Sequence, residues 1–230
     1  MNPPDHVAGT RGAAGTVASV NVAQVRTGGW TGRVGRTGID KRPVSSPVVF
    51  GPTGVGGDAV CDTRHHGAWY QAAYAFDLDE LEHWSQRLDT RLVPGNAGEN
   101  LTLHGFDSSS AVLGQRLRIG GAVLRVTGPR TPCSVFAGFW DEPRLVRSFT
   151  ERGRTGAYFA VEEAGEVAAG DVVQVLSTPE HGVRVHEVFA VNMHGRADLA
   201  EHVRGGLGSL PEAWRDQTTR SLRRYGIAVT

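Results

Sequence analysis

Cys133 stands in the stretch Pro129-Arg130-Thr131-Pro132-Cys133. Neither proline can donate to a strand ladder, so the thiol belongs to a stiff loop leaving the strand-like run AVLRVT. Arg130, three residues earlier, is a cation able to lower a thiol pKa. That favours thiolate, the form that binds soft metals or attacks sulfur. The opposite reading is equally available, because free cysteine is among the most buried and inert residue types. Cys61, the only other cysteine, sits in the alternating run DAVCD and reads as core packing.

Three further polar groups have the composition of sites. GGDAVCDTRHHGAWY packs Asp58, Asp62, Arg64, His65 and His66 between glycines. On a strand the two histidines would face opposite sides and could not share a zinc ion; in a turn the aspartates would serve as Asx-type acceptors. GNAGENLTLHG places Glu99 and Asn100 at the mouth of a strand. They suit the hydrogen-bonding edge of a heterocycle, or a Gly-rich turn fixed by a buried carboxylate. Arg33, Arg36, Lys41 and Arg42 form a basic loop. Alone it is a solvated face; folded over a mouth holding Arg64 and Arg130, it binds phosphate. The chain has no P-loop, no Gly-x-Ser-x-Gly elbow and no HExxH.

These residues need rigid elements to bring them together. TVASVNVAQV, GQRLRIGGAVLRVTGPR and AYFAVEEAGEVAAGDVVQVL alternate apolar and polar residues across Gly-containing turns, which predicts a closed or nearly closed β-barrel. DLDELEHWSQRL has Leu78, Leu81, Trp84 and Leu88 at helical spacing. Beyond Pro179, VRVHEVFAVNMH, RADLAEHVRGGL and LPEAWRDQTTRSLRRYG predict three short helices, the last with a Ser209/Glu212 capping box and a stop at Gly226. Their apolar faces, among them Val188, Leu207 and Trp214, leave packing on the barrel, homodimerisation or docking of a partner open. The expected organisation is mainly β: a flexible tail over 1–15, a barrel over 16–180 and a helical module over 181–230.

Composition excludes several classes. Lysine plus arginine equals aspartate plus glutamate, at 24 each, so nothing draws the whole chain to nucleic acid or to a membrane surface. Two cysteines make no disulfide framework, and no signal-like or membrane-spanning run is present. A cytoplasmic protein acting on a small-molecule substrate is expected.

The segments TGIDKRPV, GVGGDAVCDTRHHGAWYQAAYAF, NAGENLTLHG, LGQRLRIGGAVLRVTGPRTPCSVF and GRTGAYFAVEEAGEVAAGDVV, in this order, resemble the MOSC domain. That domain occurs at the C-terminus of molybdenum cofactor sulfurases and in stand-alone bacterial proteins. The helical tail is similar to that of the family's YiiM-like subgroup, whose members reduce N-hydroxylated bases such as 6-hydroxylaminopurine. The resemblance implies a MOSC-type β-barrel carrying molybdopterin-bound molybdenum, with Cys133 as metal ligand and catalytic residue. It implies a cofactor cleft lined by Lys41, Arg64, His66, Glu99, Asn100 and Arg130. With no flavin or iron–sulfur motif in the chain, electrons would come from a separate reductase. The alternative is a non-redox carrier of sulfur or cofactor, with a persulfide on Cys133. Pyridoxal phosphate, associated with the family through the sulfurases, has Lys41 as its only Schiff-base candidate and no accompanying aspartate motif. Two departures from the family pattern, Ala68 in HHGA and Ala97 in AGEN, bear on the substrate pocket.

Overall fold

The computed structural model describes residues 13–229. Among them the strands are β1 (Ala13–Ala23), β2 (Arg26–Thr27), β3 (Arg36–Thr37), β4 (Lys41–Pro43), β5 (Val48–Gly51), β6 (Gly54–Val55), β7 (Ala73–Asp77), β8 (Leu101–His104), β9 (Arg116–Ile119), β10 (Ala122–Pro129), β11 (Ala157–Glu163), β12 (Gly165–Val167) and β13 (Val172–Ser177). The helices are α1 (Leu78–Leu88), α2 (Ser134–Phe139), α3 (Leu145–Arg152), α4 (Val185–Met193), α5 (Ala200–Arg204) and α6 (Glu212–Arg224).

Seven strands close into a barrel in the order β13-β9-β10-β11-β7-β8-β1, with β13 pairing back onto β1. The alternation anticipated from sequence is the reason. In β9, Leu117 and Ile119 are buried while Arg116 and Arg118 face outward to Glu162 and Glu163. β4 extends the sheet beyond β1, and β12, β5 and β6 form a small sheet of their own. Neighbours in the ring run antiparallel except β7 and β8, which are parallel with Ala75 opposite Leu101. A parallel pair needs a crossover, supplied here by α1 and the segment after it. β1 opens at Ala13, so residues 13–15, expected in the tail, are strand. The remainder of that expected tail, 1–12, lies outside the described residues.

Helix and strand residues are about equal in number, so the mainly β expectation holds for the barrel more than for the whole chain. The sequence reading gave no helices to 134–152, where α2 and α3 lie. They form a second core with α1, in which Phe136, Phe149, Leu81 and Trp84 are all buried. Trp84 stacks on Phe149 at 5.4 Å between ring centroids, and Phe136 meets Trp140 edge-on at 4.5 Å.

The helical module shares the barrel's core instead of making its own: Leu117 and Val126 belong to one apolar cluster with Val188, Val203 and Leu222. The expected Ser209/Glu212 capping box does not form. α6 starts behind Pro211, and Ser209 Oγ lies 3.0 Å from His181 Nε2 in the preceding turn. Glu187 instead caps α4, accepting the Arg184 amide at 2.7 Å.

Candidate cofactor cavity

Arg130 ends a strand and turns inward. Its guanidinium is buried, donates from Nη1 to the Ala97 carbonyl at 2.8 Å, and lies 4.0 Å above the ring of Phe136 and 5.1 Å from that of Tyr74. Among the described residues it forms no ion pair. A guanidinium cannot shed its proton in a protein, so this is a permanent buried cation met by the Ala97 carbonyl, the Phe136 ring and the neighbouring Tyr74 and Tyr158 side chains, none of them an acid that is ionised at neutral pH. Three residues on, Cys133 is half-buried in extended conformation at the N-terminus of α2, where its carbonyl accepts the Ala137 amide at 3.1 Å.

Both side chains line a cavity of about 790 Å³, the size of a small cofactor pocket. Lys41, His66 and Asn100 line it as well, and Arg33 and Arg36 reach it from the basic loop. Among the described residues neither of those arginines forms an ion pair. Arg42 of the same loop is instead held by Asp40 at 2.7 Å. The guanidiniums of Arg33, Arg36 and Arg130 and the Lys41 amine thus face the cavity, with only Asp58 and Asp62 as acids. Its field favours an anion.

The other expected site residues divide by geometry. Arg64 is exposed and does not line the cavity; His65 does. The histidines are not on a strand. Asp62 accepts the Arg64 amide at 3.3 Å and meets His65 Nδ1 at 3.0 Å, an Asx-type turn that swings both imidazoles to one side. Desolvation, then the nearby Arg130 charge, holds the His66 pKa below its usual value, so its ring is neutral at pH 7. Cys61, expected in the core, is half-buried in the cavity wall, because DAVCD is loop and not strand.

Glu99 is fully buried and does not line the cavity. It accepts the amides of Gly95 at 2.6 Å and Ala97 at 2.9 Å and the Thr102 hydroxyl at 2.7 Å, which fixes the loop whose Ala97 carbonyl receives Arg130. Burial pushes its pKa up to about 7 against these bonds, which favour the anion. The loop lies directly on β4: a Cβ on Gly95, at φ +91°, would fall 2.3 Å from the Lys41 carbonyl oxygen. Asn100 is equally committed, with Nδ2 donating to Asp58 at 2.9 Å and Oδ1 accepting the Tyr74 amide at 3.3 Å. Asp58 also receives the Lys41 ammonium at 2.5 Å and the Ala23 amide at 2.8 Å. Burial lowers the Lys41 pKa, while Asp58 opposes that shift.

Asp58 was among the polar residues of the sequence but not among the expected site residues; its partners come from β1, β4 and the residue before β8, which local spacing cannot reveal. Tyr74, Tyr158 and Trp214 also line the cavity and carried no signal beyond apolar periodicity. Ala68 and Ala97, the two departures from the family pattern, lie outside the lining; Ala97 packs in the aromatic core beside Phe136.

The MOSC domain model matches residues 62–174. YflK of Bacillus subtilis (strain 168), an uncharacterized protein, is 31% identical over 201 residues, or 87% of this chain and 91% of that one. This chain belongs to the MOSC domain family. Escherichia coli YiiM is also similar, at 24% identity over 83% of this chain and 84% of that protein. The crystal structure of YiiM from Geobacillus stearothermophilus superposes with a TM-score of 0.74 at 25% identity, covering 90% of this chain and 99% of that one. That of Escherichia coli YiiM gives 0.66 at 20% identity, a likeness of fold.

Membership of the MOSC family associates the chain with the molybdenum cofactor, and the cavity can be tested for fit. Among the described residues no three of His, Cys, Asp and Glu are grouped to hold a metal ion. The soft protein donors in the lining are Cys133 and Cys61, and with no cluster of three ligating side chains a metal at Cys133 would bring most of its ligands with it. A dithiolene-bound molybdenum with an anionic phosphate tail meets that requirement, and the unpaired Arg130 supplies the matching charge. The donor set fits. Lys41 is taken up by Asp58, which leaves no free amine for a pyridoxal Schiff base in this arrangement.

Proposed function

We propose that this protein holds the molybdenum cofactor in the Arg130–Cys133 cavity and reduces N-hydroxylated compounds of the hydroxylaminopurine type. The supporting observation is the pairing, in one cavity, of a soft thiol donor with a buried guanidinium that has no acid of its own. The overall change is R–NHOH + 2 e⁻ + 2 H⁺ → R–NH₂ + H₂O, with electrons from a separate reductase. When bound, the cofactor would supply the two-electron couple.

The chain's residues supply the remainder. Cys133 Sγ would be the protein's ligand to the metal, while Arg130, Arg33 and Arg36 would neutralise the anionic part of the group and fix its orientation. His66, neutral at the mouth, has one ring nitrogen free to accept a proton from solvent and another to pass one inward. Lys41, held on Asp58, is a second proton donor to the leaving oxygen, and its lowered pKa makes that transfer easier.

The test is molybdenum and pterin content after expression in a cofactor-competent host, followed by turnover of 6-hydroxylaminopurine with a reduced viologen dye as donor. Wild type is expected to carry both, and Cys133→Ser to lose molybdenum and activity. A wild-type protein free of both that takes up no added cofactor overturns the proposal. So does a labile extra sulfur on Cys133 in the native mass spectrum with no reductase activity, the signature of a sulfur carrier.

A further inference from the structure

The C-terminal module reaches the cavity through one residue. Trp214, Thr218, Ser221 and Leu222 of α6 and Tyr225, its C-cap, fall on one stripe. The last four pack within the module, and Trp214 packs against the edge of the core. Asn192 of α4 donates to Thr218 Oγ1 and accepts from Ser221 Oγ, both at 2.9 Å; Leu222 is buried; the Tyr225 hydroxyl donates to the Val191 carbonyl at 3.1 Å. Trp214, one turn ahead, overhangs the end of that contact and lines the cavity with Gln71, Tyr74, Tyr158 and Arg130.

The barrel is shaped to receive the ring. A Cβ on Gly128 would stand 3.3 Å from the indole Cδ1 and 3.4 Å from Nε1, so the indole lies on bare backbone of β10 two residues before Arg130. Among the described residues the indole N–H makes no hydrogen bond. Gln71, in the same wall, has a buried amide oxygen with no donor. A flat π-face beside unsatisfied polar groups suits a planar ring that carries its own nitrogen donors and acceptors.

We propose that Trp214 is a specificity-determining residue of the cavity, the platform on which a planar nitrogen heterocycle stacks. The heterocycle is either a substrate base or the pterin of the cofactor. Only this choice of source depends on the function proposed above. Through Trp214 the helical module becomes part of the site, whereas the face had been expected to serve packing or docking alone.

Calorimetric titration of adenine into wild type, Trp214→Phe and Trp214→Leu tests this, with pterin and molybdenum content measured on the same preparations. Leucine keeps an apolar filler and removes the π-face. If the substrate base stacks, Trp214→Leu weakens adenine binding by roughly five- to hundredfold with unchanged pterin, and Trp214→Phe falls between. If the pterin stacks, Trp214→Leu lowers pterin content and leaves adenine affinity as it was. A Trp214→Leu protein equal to wild type in both measurements overturns the proposal, as does a wild type that holds neither ring. Should the leucine variant not fold, quenching of indole fluorescence by adenine in wild type, compared with Trp214→Phe, reads the same contact; equal quenching overturns it. Adenine binding that depends on Trp214 in a protein unable to reduce any N-hydroxylated compound would leave this inference standing and remove the reductase reading.

Discussion

At the scale of single residues, two buried ionisable groups carry different consequences. Arg130 makes one carbonyl bond and otherwise faces aromatic rings and the cavity. Arg130→Gln is expected to lower molybdopterin retention at least tenfold, since charge-assisted bonds contribute about 1.5–3 kcal/mol each. Arg130→Lys should recover only part of this, because an ammonium cannot reproduce the planar fork; pterin content of the purified variants measures both. Asp77 behaves differently. Burial pushes its pKa up to about 7, with the Ser108 hydroxyl and amide opposing and Asp107 and Arg154 nearby. Its carboxyl is therefore protonated in the folded protein over a range where the unfolded chain has already ionised. That contribution to stability is complete below about pH 4, declines as pH rises, and is gone above about 7. Asp77→Asn keeps the acceptor for both Ser108 bonds, at 2.6 and 3.1 Å. The variant should match wild type near pH 4 and exceed it at pH 8 by a margin on the order of 2 kcal/mol. Chemical denaturation at the two pH values checks this; a difference that does not change with pH contradicts it.

Elements were legible where pattern is local. The alternation of RLRIGGAVLRV is a hairpin because each strand needs only its own residues to declare a face. Leu78, Leu81, Trp84 and Leu88 marked α1 for the same reason. α2 and α3 were missed because Asp141, at positive φ, and Pro143 separate two helices of six and eight residues, too short for periodicity to register, and because tertiary aromatic packing holds them. The cavity was half legible: prolines and an arginine drew attention to Cys133, but the Lys41–Asp58–Asn100 contact joins segments up to 59 residues apart. Glu99 illustrates the limit. The glycines on either side were compatible with a ligand-facing carboxylate or with a turn fixed by a buried one, and the second holds: they let the loop wrap the carboxylate itself. Gly95→Ala sets a Cβ against the Lys41 carbonyl at a left-handed backbone angle. It should destabilise the protein by more than about 1 kcal/mol and, by moving the Ala97 carbonyl, reduce cofactor retention in proportion. Thermal melts and pterin content together separate these effects.

At the scale of the whole molecule, barrel and helical module are one structure with a continuous apolar core. Truncation after Ser177 would expose Val188, Val203 and Leu222 partners on the barrel, along with the β10 backbone under Trp214. The truncated barrel is therefore expected to aggregate or to melt well below the full chain, a difference that scanning calorimetry would show. The closed ring has a further consequence. Walking once around it, strand direction must return to its starting sense, so the number of reversals is even; with seven members at least one step cannot reverse. That step falls between β7 and β8. No tight turn can join two strands pointing the same way, so the chain is obliged to travel back outside the barrel, and the returning segment is where Gly95–Glu99 lies. An odd strand count thus leaves spare chain at one rim, and the protein uses it to seat Arg130.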